Sequence, residues 1–115
     1  MTTREDILKY AKNTERPIFE ILLFEKVVEG GFSFPEVGCE DHPGFYYELD
    51  TAIRAMNENW ADIQDHAFHA GFILCRLPGL YQGVTTNQRM YFVWDRDKEG
   101  FFQQEEPEIF KHLAY

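Results

Sequence analysis

The groups best able to ligate a metal or move a proton cluster in the run Asp65-His66-Ala67-Phe68-His69, where two imidazoles stand three residues apart. On a helix that spacing puts both rings on one face, whereas on a strand they point to opposite sides and cannot share an ion. The run leads into an apolar strand and no paired-cysteine or HExxH pattern accompanies it, so no metal site is expected. A second group, Cys39-Glu40-Asp41-His42, lies in segment 36–44, EVGCEDHPG, whose glycine, proline and acidic content reads as a loop. A small-ligand pocket built from these stretches would use Asp41, His42, His66 and His69 for orientation and Tyr46, Tyr47 and Trp94 as walls. Cys75 with His66 or His69 has the composition of a thiol and base pair. Flanked by Leu74 and Arg76 inside a strand, however, a cysteine is ordinarily inert packing. Glu105, Glu106 and Glu108 have the chemistry of paired acid and base carboxylates, yet their place at the start of a helix accounts for them more cheaply. Gly30-Gly31 lacks the further glycines of a dinucleotide loop and reads as a turn. No nucleophile, base and orienting group assemble, so the reading assigns no catalytic residue and no cofactor and leans away from an enzyme.

The elements that position these residues are organised around 67–77, AFHAGFILCRL, which Pro78-Gly79 closes abruptly. Its apolar residues occupy both alternating faces, the pattern of a central strand covered on both sides. Phe68, Ala70, Phe72 and Leu74 point one way, and Gly71, Ile73, Cys75 and Leu77 the other. The positions Leu49, Ile53, Met56, Trp60, Ile63, Ala67, Ala70, Leu74 and Leu77 also follow a coiled-coil spacing over about four heptads. Gly71 inside the seam, and the strand-favouring Phe68, Phe72 and Ile73, argue that the helix ends near Ile63.

In chain order, Thr3-Arg4-Glu5-Asp6 resembles a capping box and opens a short helix that runs to about Lys12, before Pro17. Segment 18–28, IFEILLFEKVV, is a second interior strand. Gly30-Gly31 then has the spacing of a two-residue hairpin, with a strand returning through Phe32-Ser33-Phe34 to Pro35. Phe45-Tyr46-Tyr47 resumes extended structure, and Asp50 is the N-cap of a helix carrying Ala52, Ile53, Met56, Trp60 and Ile63. After a polar loop over 78–88, Met90-Tyr91-Phe92-Val93-Trp94 is a strand, 95–100 a charged turn, and 101–104 a short last strand. A terminal helix follows from Glu105, docked by Ile109, Phe110 and Leu113. The order α-β-β-α-β-β-β-α specifies a single α+β domain over 1–115, a mostly antiparallel sheet of about five strands with three helices packed on it. A parallel contact between the first hairpin and the strand at Ala67 is open to it through a right-handed crossover.

Composition bounds the rest. The 115 residues are enough for one domain that buries about two thirds of its unfolded surface. No run reaches the roughly eighteen apolar residues of a membrane helix, and the polar start lacks a signal core, so a cytoplasmic location is expected. Eleven basic residues scattered among twenty acids give a formal charge of -9, which disfavours direct nucleic-acid binding. The combination FYYELDTAIRAMNENWADIQDHAF, LPGLY, MYFVWD and GFFQQEEPEIF resembles small uncharacterised bacterial proteins of gut Firmicutes, some encoded near mobile elements. That resemblance implies an accessory role and transfers no catalytic residue. Abundant aromatics and dispersed acids favour a non-enzymatic protein-protein interaction module, with a small-ligand-binding protein or enzyme, and an acidic mimic inhibiting a nucleic-acid-binding partner, as alternatives. Two strands apolar on both faces and too few helices to cover them predict a homodimer through Phe32, Phe34, Tyr91, Phe101 and Phe102.

Overall fold

A computed structural model describes residues 1–12, 17–25, 27–28, 36–37, 40–65, 68–76, 88–108 and 110, with the backbone alone at 27, 28, 36, 37, 40, 41, 61, 62 and 65. The chain order is α1 (Arg4–Ala11), β1 (Ile18–Phe24), β2 (Val27–Val28), β3 (Glu36–Val37), β4 (Glu40–Tyr46), α2 (Leu49–Asn57), a 3-10 helix (Trp60–Asp65), β5 (Ala70–Arg76), β6 (Arg89–Asp95) and β7 (Gly100–Gln104). The main sheet has the order β4-β1-β5-β6-β7 with every pair antiparallel, while β2 and β3 pair separately. The domain is therefore α+β with a five-stranded antiparallel sheet, and its middle strand is the one expected from the doubly apolar run. The parallel contact is not formed, because β1 and β5 already meet as direct antiparallel neighbours.

Alternation along β5 divides the core. Ile73 and Cys75 join Phe19, Ile21 and Leu23 of β1 on one face, beneath Ile7 and Ala11 of α1 and Leu49, Ala52, Ala55 and Met56 of α2. Ala70, Phe72 and Leu74 join Leu22, Phe24, Tyr91 and Phe110 on the other. Phe68 departs from the expected alternation: it precedes the strand and packs with the Ile73 side. Both α-helices thus lie on one face of the sheet. The second face is nevertheless closed, with Leu22, Phe24, Phe72 and Leu74 fully buried. Rings of Phe24, Phe72, Tyr91 and Phe110 meet there at centroid distances of 5.0 to 6.0 Å.

Local chemistry sets the boundaries. Thr3 Oγ1 accepts from the Asp6 N–H at 3.2 Å and Asp6 Oδ2 accepts from the Thr3 N–H at 2.9 Å, the reciprocal capping box expected at α1. Hydrogen bonding to the carboxylate from the Thr3 backbone first, and from the Thr3 side chain second, holds the Asp6 carboxyl below its ordinary pKa. At α2 the N-cap is Glu48, not Asp50. Asp50 is engaged instead by Arg4, whose Nε and Nη2 donate to its two oxygens at 2.6 and 2.7 Å, tying the helices together and holding the carboxyl low. The helix stops at Asn57 rather than Ile63, since Asn59 takes a left-handed φ of 58°. Asn59 Oδ1 accepts from the Gln64 N–H at 2.6 Å and so starts the 3-10 turn that still delivers Trp60 and Ile63 to the core. That break also removes the long-helix alternative.

Four further expectations are corrected. The strand 18–28 is two elements, interrupted after Phe24 at exposed Glu25. Val28 pairs with Glu36, so the two-residue hairpin at Gly30-Gly31 gives way to a connection over 29–35, which lies outside the described residues along with Phe32 and Phe34. Segment 36–44 is not a loop: it holds β3 and most of β4, and β4 is an edge strand that accommodates Pro43. The charged turn is as expected, with Asp95 Oδ1 accepting from the N–H groups of Asp97 and Lys98. The third helix is not seen among the described residues, where 105–107 is irregular and Glu108 and Phe110 lie in a 3-10 turn. Pro107 fixes its own φ, and its carbonyl accepts from the Phe110 N–H, so the chain turns onto the sheet there.

Candidate interaction surface

The residues expected to line a pocket are distributed by strand register. Tyr46 lies opposite Phe19, which lies opposite Cys75, whereas His69 precedes Ala70 at the Phe24 end of β1. Tyr46 and His69 therefore sit toward opposite ends of the sheet. Tyr46 packs edge-on against Trp60 at 5.8 Å. His69 is exposed, and its backbone bridges strands, donating to the Phe24 carbonyl and accepting from the Trp94 N–H. Trp94 packs on Phe101 at 5.2 Å. Asp41 is on β4 opposite Leu23, and His66 lies outside the described residues.

His42 projects beside Glu20, its Nδ1 3.7 Å from Oε1, and the same oxygen accepts from Arg76 Nε and Nη2 at 3.4 and 3.3 Å. This row crosses three strands and neutralises a carboxylate on an otherwise apolar strand. Among the described residues no group of three or more His, Cys, Asp or Glu side chains is placed to hold a metal.

Cys75 is a free, buried thiol, and burial pushes its pKa up to about 11. Such a group is a poor nucleophile at neutral pH. In a Cys39→Ser background, Cys75 should resist a thiol reagent at pH 8 until denaturant is added; labelling at the rate of a free thiol in the native protein would refute the burial. Because the thiol has a raised folded pKa, its contribution is complete below pH 9 and is lost as pH rises toward 11. The expected loss over that window is about 2 to 3 kcal/mol, read from denaturation midpoints against Cys75→Ala.

The expected interface residues also separate. Tyr91 and Phe101 are core residues, one in each cluster, because strand alternation turns them inward. Phe102 is 40% exposed, with the Lys98 ammonium 5.1 Å from its ring centroid. Among the described residues the largest exposed aromatic area lies elsewhere: Phe45 is 54% and Tyr47 70% exposed, and their rings meet edge-on at 6.2 Å at the end of β4. Period-two alternation in Phe45-Tyr46-Tyr47 was the available signal, since it turns Tyr46 inward to Trp60 and leaves its neighbours out. Phe45 pairs with Glu20, and Phe102 with Val93, so both belong to the sheet face opposite α1 and α2, at its two opposite edges.

Arg89 had no sequence signal at all, and Glu106 was legible only as a carboxylate at an expected helix start. Arg89 is a buried cation: Nε forms an ion pair with Glu106, Nη2 donates to the Phe110 carbonyl at 2.9 Å, and the guanidinium carbon is 4.9 Å from the Phe72 ring centroid. It clamps the segment carrying Phe110 onto the face opposite α1 and α2.

No protein-family model, no curated protein and no solved structure matches this chain. Among the described residues no helix is long and apolar enough to cross a membrane.

Proposed function

We propose that the protein is a non-enzymatic interaction module whose partner-binding anchor is the Phe45–Tyr47 pair on β4. The observation that supports this is two neighbouring aromatic rings, each more than half exposed and mutually packed, at the edge strand of the sheet. Paired rings hold each other in position and offer large apolar area at small entropic cost, which is how aromatic anchors come to dominate interfaces. Pro43 lacks an N–H donor and blunts the edge against continuous strand addition, so docking runs through side chains more than through the backbone.

A second copy is the simplest partner, since a twofold at this edge sets each aromatic pair against its counterpart. The formal charge of -9 keeps the module off nucleic acid, and a free thiol in the core suits the reducing cytoplasm. Light scattering during size exclusion tests the reading. At micromolar concentration the wild type should run at twice 13.6 kDa, and Phe45→Ser/Tyr47→Ser at 13.6 kDa with an unchanged circular dichroism spectrum. A wild-type monomer rejects the self-associating form, and a dimer that persists in the double variant moves the interface off β4.

A further inference from the structure

The two edge strands of the sheet are guarded differently. β4 carries Pro43 and a register shift in its pairing with β1, and both interrupt a continuous row of backbone donors and acceptors. β7, at the other edge, has neither: GFFQQ pairs with β6 in unbroken register and holds no proline and no charged side chain. Among the described residues no backbone hydrogen bond reaches Gly100–Gln104 from any element other than β6. A regular, uncharged edge strand is the template to which an extended segment adds. Phe102 and Gln104, two residues apart on the face opposite α1 and α2, are both exposed beside it.

A cavity of about 610 Å³ at the end of this strand says what kind of segment. Asp6 and Gln103 line it from the side of the two α-helices, and Tyr91 and Gln104 from the other. A space that touches both faces of a sheet must pass a strand end or an outer edge, and β7 is the outermost strand. Three carboxylates, those of Asp6, Glu105 and Glu106, meet one guanidinium in the lining, and that guanidinium, Arg89, is already paired with Glu106. The charges of Asp6 and Glu105 are thus unmatched by any other side chain of the lining, in a chain whose formal charge is -9, and the field there favours a cation. We propose that β7 takes up an extended basic peptide segment as a sixth strand, its backbone pairing with Gly100–Gln104 and a lysine or arginine side chain entering the cavity. Strand alternation sets one side chain of the segment beside Phe102 and the next on that face beside Gln104, so an apolar residue and a basic one two positions apart fit together. A second copy of β7 would bring no cation, since its own strand has none. This surface shares no residue with Phe45 and Tyr47 and does not depend on that anchor.

The probe is the acetylated and amidated peptide Thr-Lys-Thr-Val-Thr-Lys-Thr, titrated calorimetrically into the full chain. Its β-branched residues favour the extended form, and a lysine on either side of the valine serves both strand directions. It should bind with a Kd of about 1 mM or tighter, and the same peptide with both lysines replaced by glutamate at least about tenfold more weakly. Glu105→Gln, a change at an exposed side chain, should weaken binding about threefold and leave the melting temperature of the free protein unchanged. Amide hydrogen exchange reads the backbone pairing: those amides of Gly100–Gln104 that do not donate to β6 should slow about tenfold when the peptide is at about ten times its Kd. No binding at about 5 mM peptide overturns the proposal. So does equal binding by the glutamate peptide, wild-type affinity in Glu105→Gln, unchanged exchange along β7, or protection that appears along β4 instead.

Discussion

Gly71→Ala should lower the stability of the protein by about 3 kcal/mol or more, at the upper end of what overpacking costs. A Cβ at Gly71 would lie 2.6 Å from Leu23 Cδ2 and 2.7 Å from the Leu22 carbonyl oxygen. The first contact is with a side chain that is itself fully buried, and the second is with backbone, so neither gives way without parting β1 from β5. Those strands are the centre of the sheet, and both clusters of the core depend on their spacing. Gly44→Ala is the control, since among the described residues its Cβ would meet only the Tyr46 hydroxyl at 3.8 Å, an ordinary contact. Urea denaturation of the pair decides the matter: equal midpoints for Gly71→Ala and Gly44→Ala would show that β1 and β5 adjust freely and that the close approach is not a constraint.

Arg89→Met should cost about 3 to 5 kcal/mol, as expected when one partner of a buried ion pair is removed. The methionine fills the stem of the side chain but leaves the Glu106 carboxylate without its cation and the Phe110 carbonyl without its donor. Phe110 then loses the clamp that holds it against Phe24, Phe72 and Tyr91. Adding Glu106→Gln should recover part of the loss, because the unpaired charge disappears while the missing hydrogen bond to Phe110 does not. A single variant as stable as wild type would mean that the pair is dispensable packing. A double variant no better than the single would place the cost in the Phe110 contact alone.

The three strongest signals in the sequence were local, and each survived folding. Segment 67–77 is apolar on both alternating faces, which no surface strand tolerates, and β5 is indeed central. Thr3 and Asp6 close a capping box through atoms three residues apart, a contact that needs no partner from elsewhere. Met90 to Trp94 carries strand-forming side chains, and the Asp95 carboxylate shapes the turn after it through its own near neighbours.

What went astray depended on residues far away in the chain. Segment 36–44 has loop composition, but β1 offered an open edge and the pairing of Glu40–Tyr46 against it outweighed a proline and two glycines. Asp50 has the chemistry of an N-cap, and Arg4 claimed it instead. Tyr91, Phe101 and Phe45 are alike as aromatic strand residues, and only the placement of both α-helices on one face, with Phe110 on the other, decided which rings were buried. The Arg89 clamp is the extreme case, since it joins β6 to residues seventeen and twenty-one positions later through groups that carry no periodicity. Alternation along a strand says which side chains share a face, and the sequence determined that much by itself. Which face meets a helix, a folded-back segment or solvent is a matter of topology, and only the tertiary structure decided it.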